Sequence, residues 1–214
     1  MLGVLAGCDM PPETLRRWAD GAEVVLAADG GADRLLEAGL RPTRIVGDLD
    51  SISRRARDIG VPIDEVEDQN FTDCDKLLAF AASQGIAEIT LASIEGDALD
   101  HVLASLSSTL KADLAVRLAL RTGIAWVLRV GARLAPASAR IRTSEGRRVS
   151  LMPLLPCAGV DLEGVRWPLQ KAELAPDGLV SVSNRAAGEV VHASIESGAA
   201  LLVVEYPLEE VPIW

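Results

Sequence analysis

The chain has 214 residues, 49% of them apolar and 24% charged, with a formal net charge of −10 and three cysteines. That length supplies a core for one large domain or two small ones, and the balance is that of a soluble globular protein. The acidic charge argues against general nucleic-acid binding, which needs basic surface to neutralise phosphates, but it permits one nucleotide held through a metal.

Cys8, Cys74 and Cys157 form no CxxC pair and no even framework, which fits a reduced compartment. Leu5-Ala6-Gly7-Cys8 resembles a lipoprotein cleavage box. No positive segment precedes it, and the apolar run is too short for a signal, so residues 2–7 read as a buried first strand. No apolar run approaches the length of a membrane span. A cytoplasmic protein without a membrane partner is expected.

In chain order, residues 2–6 read as a strand, and Pro11-Pro12-Glu13 opens a helix that runs through Trp18. Residues 23–28 form a second apolar run ending at Asp29-Gly30-Gly31, followed by a helix over 32–38 that Gly39 and Pro42 close. The run Arg44-Ile45-Val46-Gly47 then leads into Asp48-Leu49-Asp50-Ser51. A polar helix is expected near 53–58, a short strand near 61–66, and a helix from Thr72 whose Thr72-Asp73-Cys74-Asp75 start fits a capping box. A strand over 86–93 and a helix over 100–110 follow. Short apolar strands separated by helices predict a parallel α/β sheet with both faces covered.

After Thr122 the pattern changes to short alternating runs broken by turn residues, over 125–130, 139–142, 148–152, 179–183, 189–194 and 200–204. Such spacing predicts an antiparallel sandwich or barrel. The expected fold is therefore an α/β parallel-sheet N-terminal domain over 1–122 and an all-β, sandwich-like C-terminal domain over 123–214.

Ligands of an open parallel sheet bind at the carboxyl ends of its strands. Asp29 lies at one such end, with Gly30 and Gly31 allowing a ligand close to the backbone. Asp48 and Asp50 lie at another, and in extended chain residues i and i+2 leave the same face. Two carboxylates side by side repel unless a cation sits between them, and Mg²⁺ prefers such oxygens and bridges to phosphate. Asp73 opens a helix, and Lys76 shares its face three residues on. Each residue also has a plain structural reading: a solvated turn for Asp48 and Asp50, a cap or turn for Asp29 and Asp73, a surface charge for Lys76. Asp100-His101 reads either as a helix start or as part of a phosphohydrolase-like dyad. There is no GxxxxGK[ST] loop, no GxGxxG after the first strand and no GxSxG elbow.

The ordered set Ala28-Asp29-Gly30-Gly31-Ala32, Gly47-Asp48-Leu49-Asp50-Ser51, Asp68 through Thr72-Asp73 to Lys76, and Gly96 to Asp100-His101 resembles the thiamine pyrophosphokinase family. Residues 149–154, Gly164-Val165-Arg166-Trp167-Pro168-Leu169 and Ser181-Val182-Ser183-Asn184 extend the resemblance over the second half. It implies transfer of pyrophosphate from ATP to thiamine with release of AMP, by a homodimer whose active sites lie between subunits. Carried over by motif, Asp29, Asp48, Asp50 and Asp73 hold Mg²⁺ and the triphosphate, and Lys76 stabilises phosphate charge. Gly30, Gly31, Ser51, Thr72 and His101 join the nucleotide site, and Asp73 or Asp100 is the candidate proton acceptor. By the same resemblance Ser181, Ser183 and Asn184 are expected to hold thiamine, and Trp167 reads either as an aromatic face for the cationic thiazolium or the pyrimidine or as a core residue of the sandwich.

The chain departs from the family pattern at Gly96-Asp97-Ala98, where Gly-Gly-Arg is expected, at Ser105 in place of asparagine, and at Val182 in place of threonine. Losing an arginine and gaining a carboxylate should weaken anion binding. Three other readings stay open: a pyrophosphokinase for another hydroxymethyl heterocycle such as a pterin, an aspartate-nucleophile phosphohydrolase built on Asp48 and Asp50, and a non-catalytic thiamine- or nucleotide-binding protein.

Overall fold

The computed structural model describes residues 1–207. They form two compact units that divide between Arg121 and Thr122.

The first unit alternates strands and helices: β1 (Leu2–Val4), α1 (Pro12–Ala19), β2 (Val25–Ala28), α2 (Gly31–Glu37), β3 (Arg44–Gly47), α3 (Arg54–Arg57), β4 (Ile63–Glu65), α4 (Asp73–Ser83), β5 (Glu88–Ala92), α5 (Leu99–Lys111) and β6 (Ala115–Leu120). Its sheet runs β4-β3-β2-β1-β5-β6, parallel throughout. Leu2, Val4, Leu26, Ala27, Ile45, Val46, Ile89 and Leu91 are buried, as expected of strands covered on both faces. The chain builds outward from β1 through β4 on one side, then returns to place β5 on β1's other side. That reversal puts a crevice at the carboxyl ends of the strands.

Local chemistry accounts for the helix that matters most to this crevice. The Thr72 side chain accepts from the Asp75 N–H and the Asp75 carboxylate accepts from the Thr72 N–H, the reciprocal capping box its sequence predicts. The cap starts α4 at Asp73, so Asp73 and Lys76 both fall in its first turns. The polar helix expected near residues 53–58 is a single turn, α3, capped by Ser53.

The second unit contains β7 (Gly123–Arg129), β8 (Ser138–Arg142), β9 (Arg148–Glu163), β10 (Leu169–Leu174), β11 (Ser181–Arg185), β12 (Val190–Ser194) and β13 (Ser197–Glu205). All their pairings are antiparallel. The first part of β9 pairs with β11 and β13, and its last part with β10 and β12. One long strand therefore serves two groups of neighbours.

Three elements escape the sequence reading. The strand expected to stop at Met152 continues to Glu163 through Pro153 and Pro156, with register shifts against β13 where the ladder meets Pro153. Irregular positions are where a sheet admits proline. β10 carries Lys171 at a φ of 45° and two register shifts, which erase its alternation. β6 has a composition of good helix formers, and pairing with β5 makes it a strand instead.

Candidate active site

Residues after four strands and on two helices line one cleft of about 450 Å³ in the first unit. Its polar wall holds Asp48, Asp50, Ser51, Thr72, Asp73, Lys76, Asp97 and His101. Oxygens of Asp29, Asp48 and Asp50 lie within 4.8 Å of one another. The convergence differs from the extended i, i+2 arrangement expected from sequence. β3 ends at Gly47, and Leu49 sits at a φ of 66°, so a turn rather than a strand brings Asp48 and Asp50 together. Gly47 is required by closeness: a Cβ there would lie 3.0 Å from the Cβ of Asp29.

Asp29 is fully buried. Its Oδ2 accepts from the Ser51 N–H at 3.2 Å and the Ser51 hydroxyl at 2.8 Å, while Oδ1 is buried without a partner. Burial pushes its pKa up, the Ser51 hydrogen bonds oppose that, and the charges of Asp48 and Asp50 add to the rise. Asp48 is the opposite case. Its Oδ2 accepts from Lys76 Nζ at 2.7 Å and Gln69 Nε2 at 2.8 Å. The Lys76 hydrogen bond, helped by Gln69 and set against burial, holds its carboxyl down at about 2.

Lys76 is the buried cation of the cleft, its side chain only 3% exposed, with Asp73 at 3.5 Å on its other side. Burial alone would lower its pKa, but the Asp48 hydrogen bond and the Asp73 charge outweigh it and raise the value. Asp73 is pushed up, chiefly by burial and then by the charge of Asp29. Of the four aspartates assigned to metal from sequence, three converge and Asp73 turns to Lys76.

A hard cation fits the three-carboxylate group. The donors are all carboxylate oxygens, which suits Mg²⁺, and the unpartnered Asp29 Oδ1 is a buried polar atom that lacks a counterpart without one.

The remaining assignments divide. Ser51 is spent on Asp29, and the Thr72 hydroxyl on the α4 cap and on Ser108 Oγ at 3.1 Å. The glycines serve packing: a Cβ on Gly31 would lie 2.0 Å from the Val4 carbonyl oxygen, and one on Gly30 would lie 3.3 Å from Ala6 Cβ. They seat α2 against β1. His101 lines the cleft, whereas Asp100 does not. Gln69 is a residue that motif reading passes over, although it lies in the polar run between β4 and α4 that carries Asp68.

In the second unit, buried Asn184 pins the loop before β10. Its Oδ1 accepts from the Trp167 N–H at 3.1 Å and the Arg185 N–H at 2.8 Å, and its Nδ2 donates to the Trp167 carbonyl at 2.7 Å. Trp167 is 55% exposed, with the Arg166 guanidinium 4.9 Å from its ring centre, so it is not a core residue. Ser181 is half-buried and Ser183 exposed, and the Ser183 N–H donates to Ser150 Oγ at 3.0 Å.

Residues 15–120 match the sequence model of the thiamin pyrophosphokinase catalytic domain, and residues 138–201 that of the thiamin pyrophosphokinase vitamin B1 binding domain. The chain is 27% identical to thiamine pyrophosphokinase 2 of Arabidopsis thaliana over 93% of its own length and 83% of that protein's. It is 24% identical to thiamine pyrophosphokinase 1 of Oryza sativa subsp. japonica over 83% of its length and 77% of that protein's. Its fold matches the thiamine pyrophosphokinase structure from Bacillus subtilis with a TM-score of 0.78 at 20% identity, over 96% of this chain and 98% of that one. The yeast thiamin pyrophosphokinase structure gives a TM-score of 0.75 at 17% identity, over 98% and 86%. With matches to both domain models in order and relatives over nearly its whole length, the chain belongs to the thiamin pyrophosphokinase family.

Proposed function

We propose that the protein transfers pyrophosphate from ATP to the hydroxyl of thiamine, giving thiamine diphosphate and AMP. The observation that carries the reading is the buried Lys76 beside a three-carboxylate cluster, at the carboxyl ends of a parallel sheet in a chain of this family. Family membership sets aside the aspartate-nucleophile phosphohydrolase.

Such a transfer asks a protein mainly to position two reactants and to neutralise phosphate charge. Asp29, Asp48 and Asp50 would hold Mg²⁺, which when bound supplies Lewis-acid neutralisation of the phosphates. Lys76 places a fixed, desolvated positive charge in the same cleft, and Asp48 and Asp73 hold it there. Ser51 fixes the orientation of Asp29, and Gln69 that of Asp48. In the second unit, Trp167 offers an aromatic face suited to the cationic thiazolium, with Ser181 and Ser183 nearby in sequence to Asn184. The reading includes a homodimer, whose mass in solution would be twice the 22.6 kDa of the chain.

Purified protein with ATP, Mg²⁺ and thiamine should form AMP and thiamine diphosphate together, each dependent on all three components. AMP formed with a hydroxymethylpterin and not with thiamine would transfer the reading to that acceptor. Thiamine binding without AMP would make the chain a binding protein.

Asn184→Ala tests the acceptor site. It strands the N–H and carbonyl of Trp167 and the N–H of Arg185, costing about 2 kcal/mol of stability. It is expected to raise the thiamine KM about tenfold, with kcat within about twofold, by loosening uniform binding of the acceptor. An unchanged KM in initial-rate measurements would remove this loop from the acceptor site.

A further inference from the structure

The cleft holds a second paired group that the phosphate cradle does not use. His101 Nδ1 lies 3.2 Å from Asp97 Oδ2, one helical turn apart at the start of α5. Asp97 is itself anchored, its Oδ1 accepting from the Ala98 N–H at 2.7 Å. Both side chains line the same cleft as Lys76, Asp48 and Asp73.

We infer that Asp97 and His101 form a proton-accepting dyad for the hydroxyl that attacks the β-phosphorus, an assignment that rests on the transfer reading above. The Asp97 carboxylate takes the Nδ1–H, which fixes the tautomer and leaves Nε2 with its lone pair. As the acceptor oxygen bonds to the β-phosphorus, its O–H bond breaks and the proton passes to Nε2. The bond from that phosphorus to the bridging oxygen breaks, and its electron pair leaves with AMP. Asp97 then faces an imidazolium and stabilises it, and the proton is afterwards lost to water.

The two aspartates favoured as proton acceptors from sequence are less suited. Asp73 faces Lys76 at 3.5 Å, and a proton on it would weaken the grip on that cation. Asp100 does not line the cleft, and its Oδ1 accepts from the His101 N–H at 3.1 Å. His101 is the catalytic residue in this scheme and Asp97 its positioning residue. The charged groups around the imidazole are Asp97 and Asp100 on its own segment, and Asp48, Asp50, Asp73 and Lys76 across the cleft. Asp9 packs against Gly96 at the base of the same loop.

The test measures thiamine-dependent AMP formation from pH 5 to 9 with Mg²⁺ saturating. His101→Gln is expected to lower kcat about 100-fold with little change in KM, and to abolish the acid limb of the profile. Free imidazole should restore part of the rate of His101→Gly. Asp97→Asn should lower kcat about tenfold with little change in KM, because the imidazole loses the carboxylate that orients it. His101 is largely exposed, so these variants should keep the wild-type thermal midpoint, and His192→Gln in the second unit should keep the wild-type profile. A His101→Gln enzyme with the wild-type rate and acid limb overturns the dyad while leaving the transfer reading intact. Loss of the acid limb in Asp73→Asn but not in His101→Gln also overturns it. Absence of AMP from the wild type overturns both.

Discussion

Asp29→Asn is expected to abolish AMP formation while raising the thermal midpoint by a few degrees in the absence of divalent cation. Asp29 is fully buried, has one oxygen without a partner, and faces two other carboxylates within 4.8 Å. Asparagine keeps an oxygen for the two Ser51 hydrogen bonds and exchanges the unpartnered oxygen for an amide donor among carboxylates. The sign follows from the pKa. Burial and the neighbouring charges raise the Asp29 value above its ordinary 3.8, so the ionised form is disfavoured in the fold. The penalty is fully present above the folded value and vanishes as pH falls below 3.8. Thermal unfolding in EDTA across pH 4 to 8 should show a gap between variant and wild type that widens with pH. Mg²⁺ should narrow that gap by stabilising only the wild type. A lower midpoint in the variant at neutral pH, or retained turnover, would remove Asp29 from a cation site.

Lys76→Met is expected to lose turnover about 1,000-fold or more and, unlike Asp29→Asn, to lose stability as well. Methionine fills the volume but leaves Asp48 and Asp73 without their cation. Breaking a buried pair on one side costs roughly 3–5 kcal/mol. The lower end, about 3 kcal/mol, applies here because Asp48 keeps Gln69 and the cleft admits water. The Asp48 contribution has a defined window. A carboxyl held at about 2 against an ordinary 3.8 stabilises the fold above 3.8, and that stability is lost as pH falls through about 2. The stability difference between wild type and Lys76→Met should therefore be full above about pH 4 and shrink toward pH 2, as followed by denaturant titration. A variant with the wild-type midpoint at neutral pH would mean that Lys76 makes no net contribution to the fold. The same ion pair predicts that Asp48→Asn lowers stability, whereas viewing Asp48 only as one of two repelling carboxylates gives the opposite sign.

The two variants separate carboxylates that sequence treats alike. In the motif, Asp29, Asp48, Asp50 and Asp73 are four equivalent acids at strand and helix ends. In the fold, Asp29 has one oxygen on Ser51 and the other without a hydrogen-bond partner, Asp48 has Lys76 at 2.7 Å, and Asp73 shares that lysine at 3.5 Å. Asp97 changes meaning in the same way. Read along the chain it is an added negative charge near an anion site. In space its oxygens are taken by the Ala98 N–H and by His101.

What the sequence by itself determined is local and periodic. Short apolar runs between capped helices specify strands buried on both faces, and the Thr72–Asp75 box fixes where α4 begins. With the ordered motifs, these suffice for the parallel sheet and for the list of acids at its carboxyl ends. Tertiary structure alone decided whatever depends on contacts between distant residues. Pairing with β5 makes a strand of the helix-favouring run at Ala115–Leu120, and the irregular ladder to β13 carries β9 through two prolines. Ser51 points Asp29, Gln69 joins Lys76 on Asp48, and Asn184 presents Trp167 to solvent instead of burying it. The physical reason is common to all of them. A residue's charge state and hydrogen bonds depend on which atoms surround it, and atoms 17 to 47 positions away in sequence leave no periodic trace at that residue.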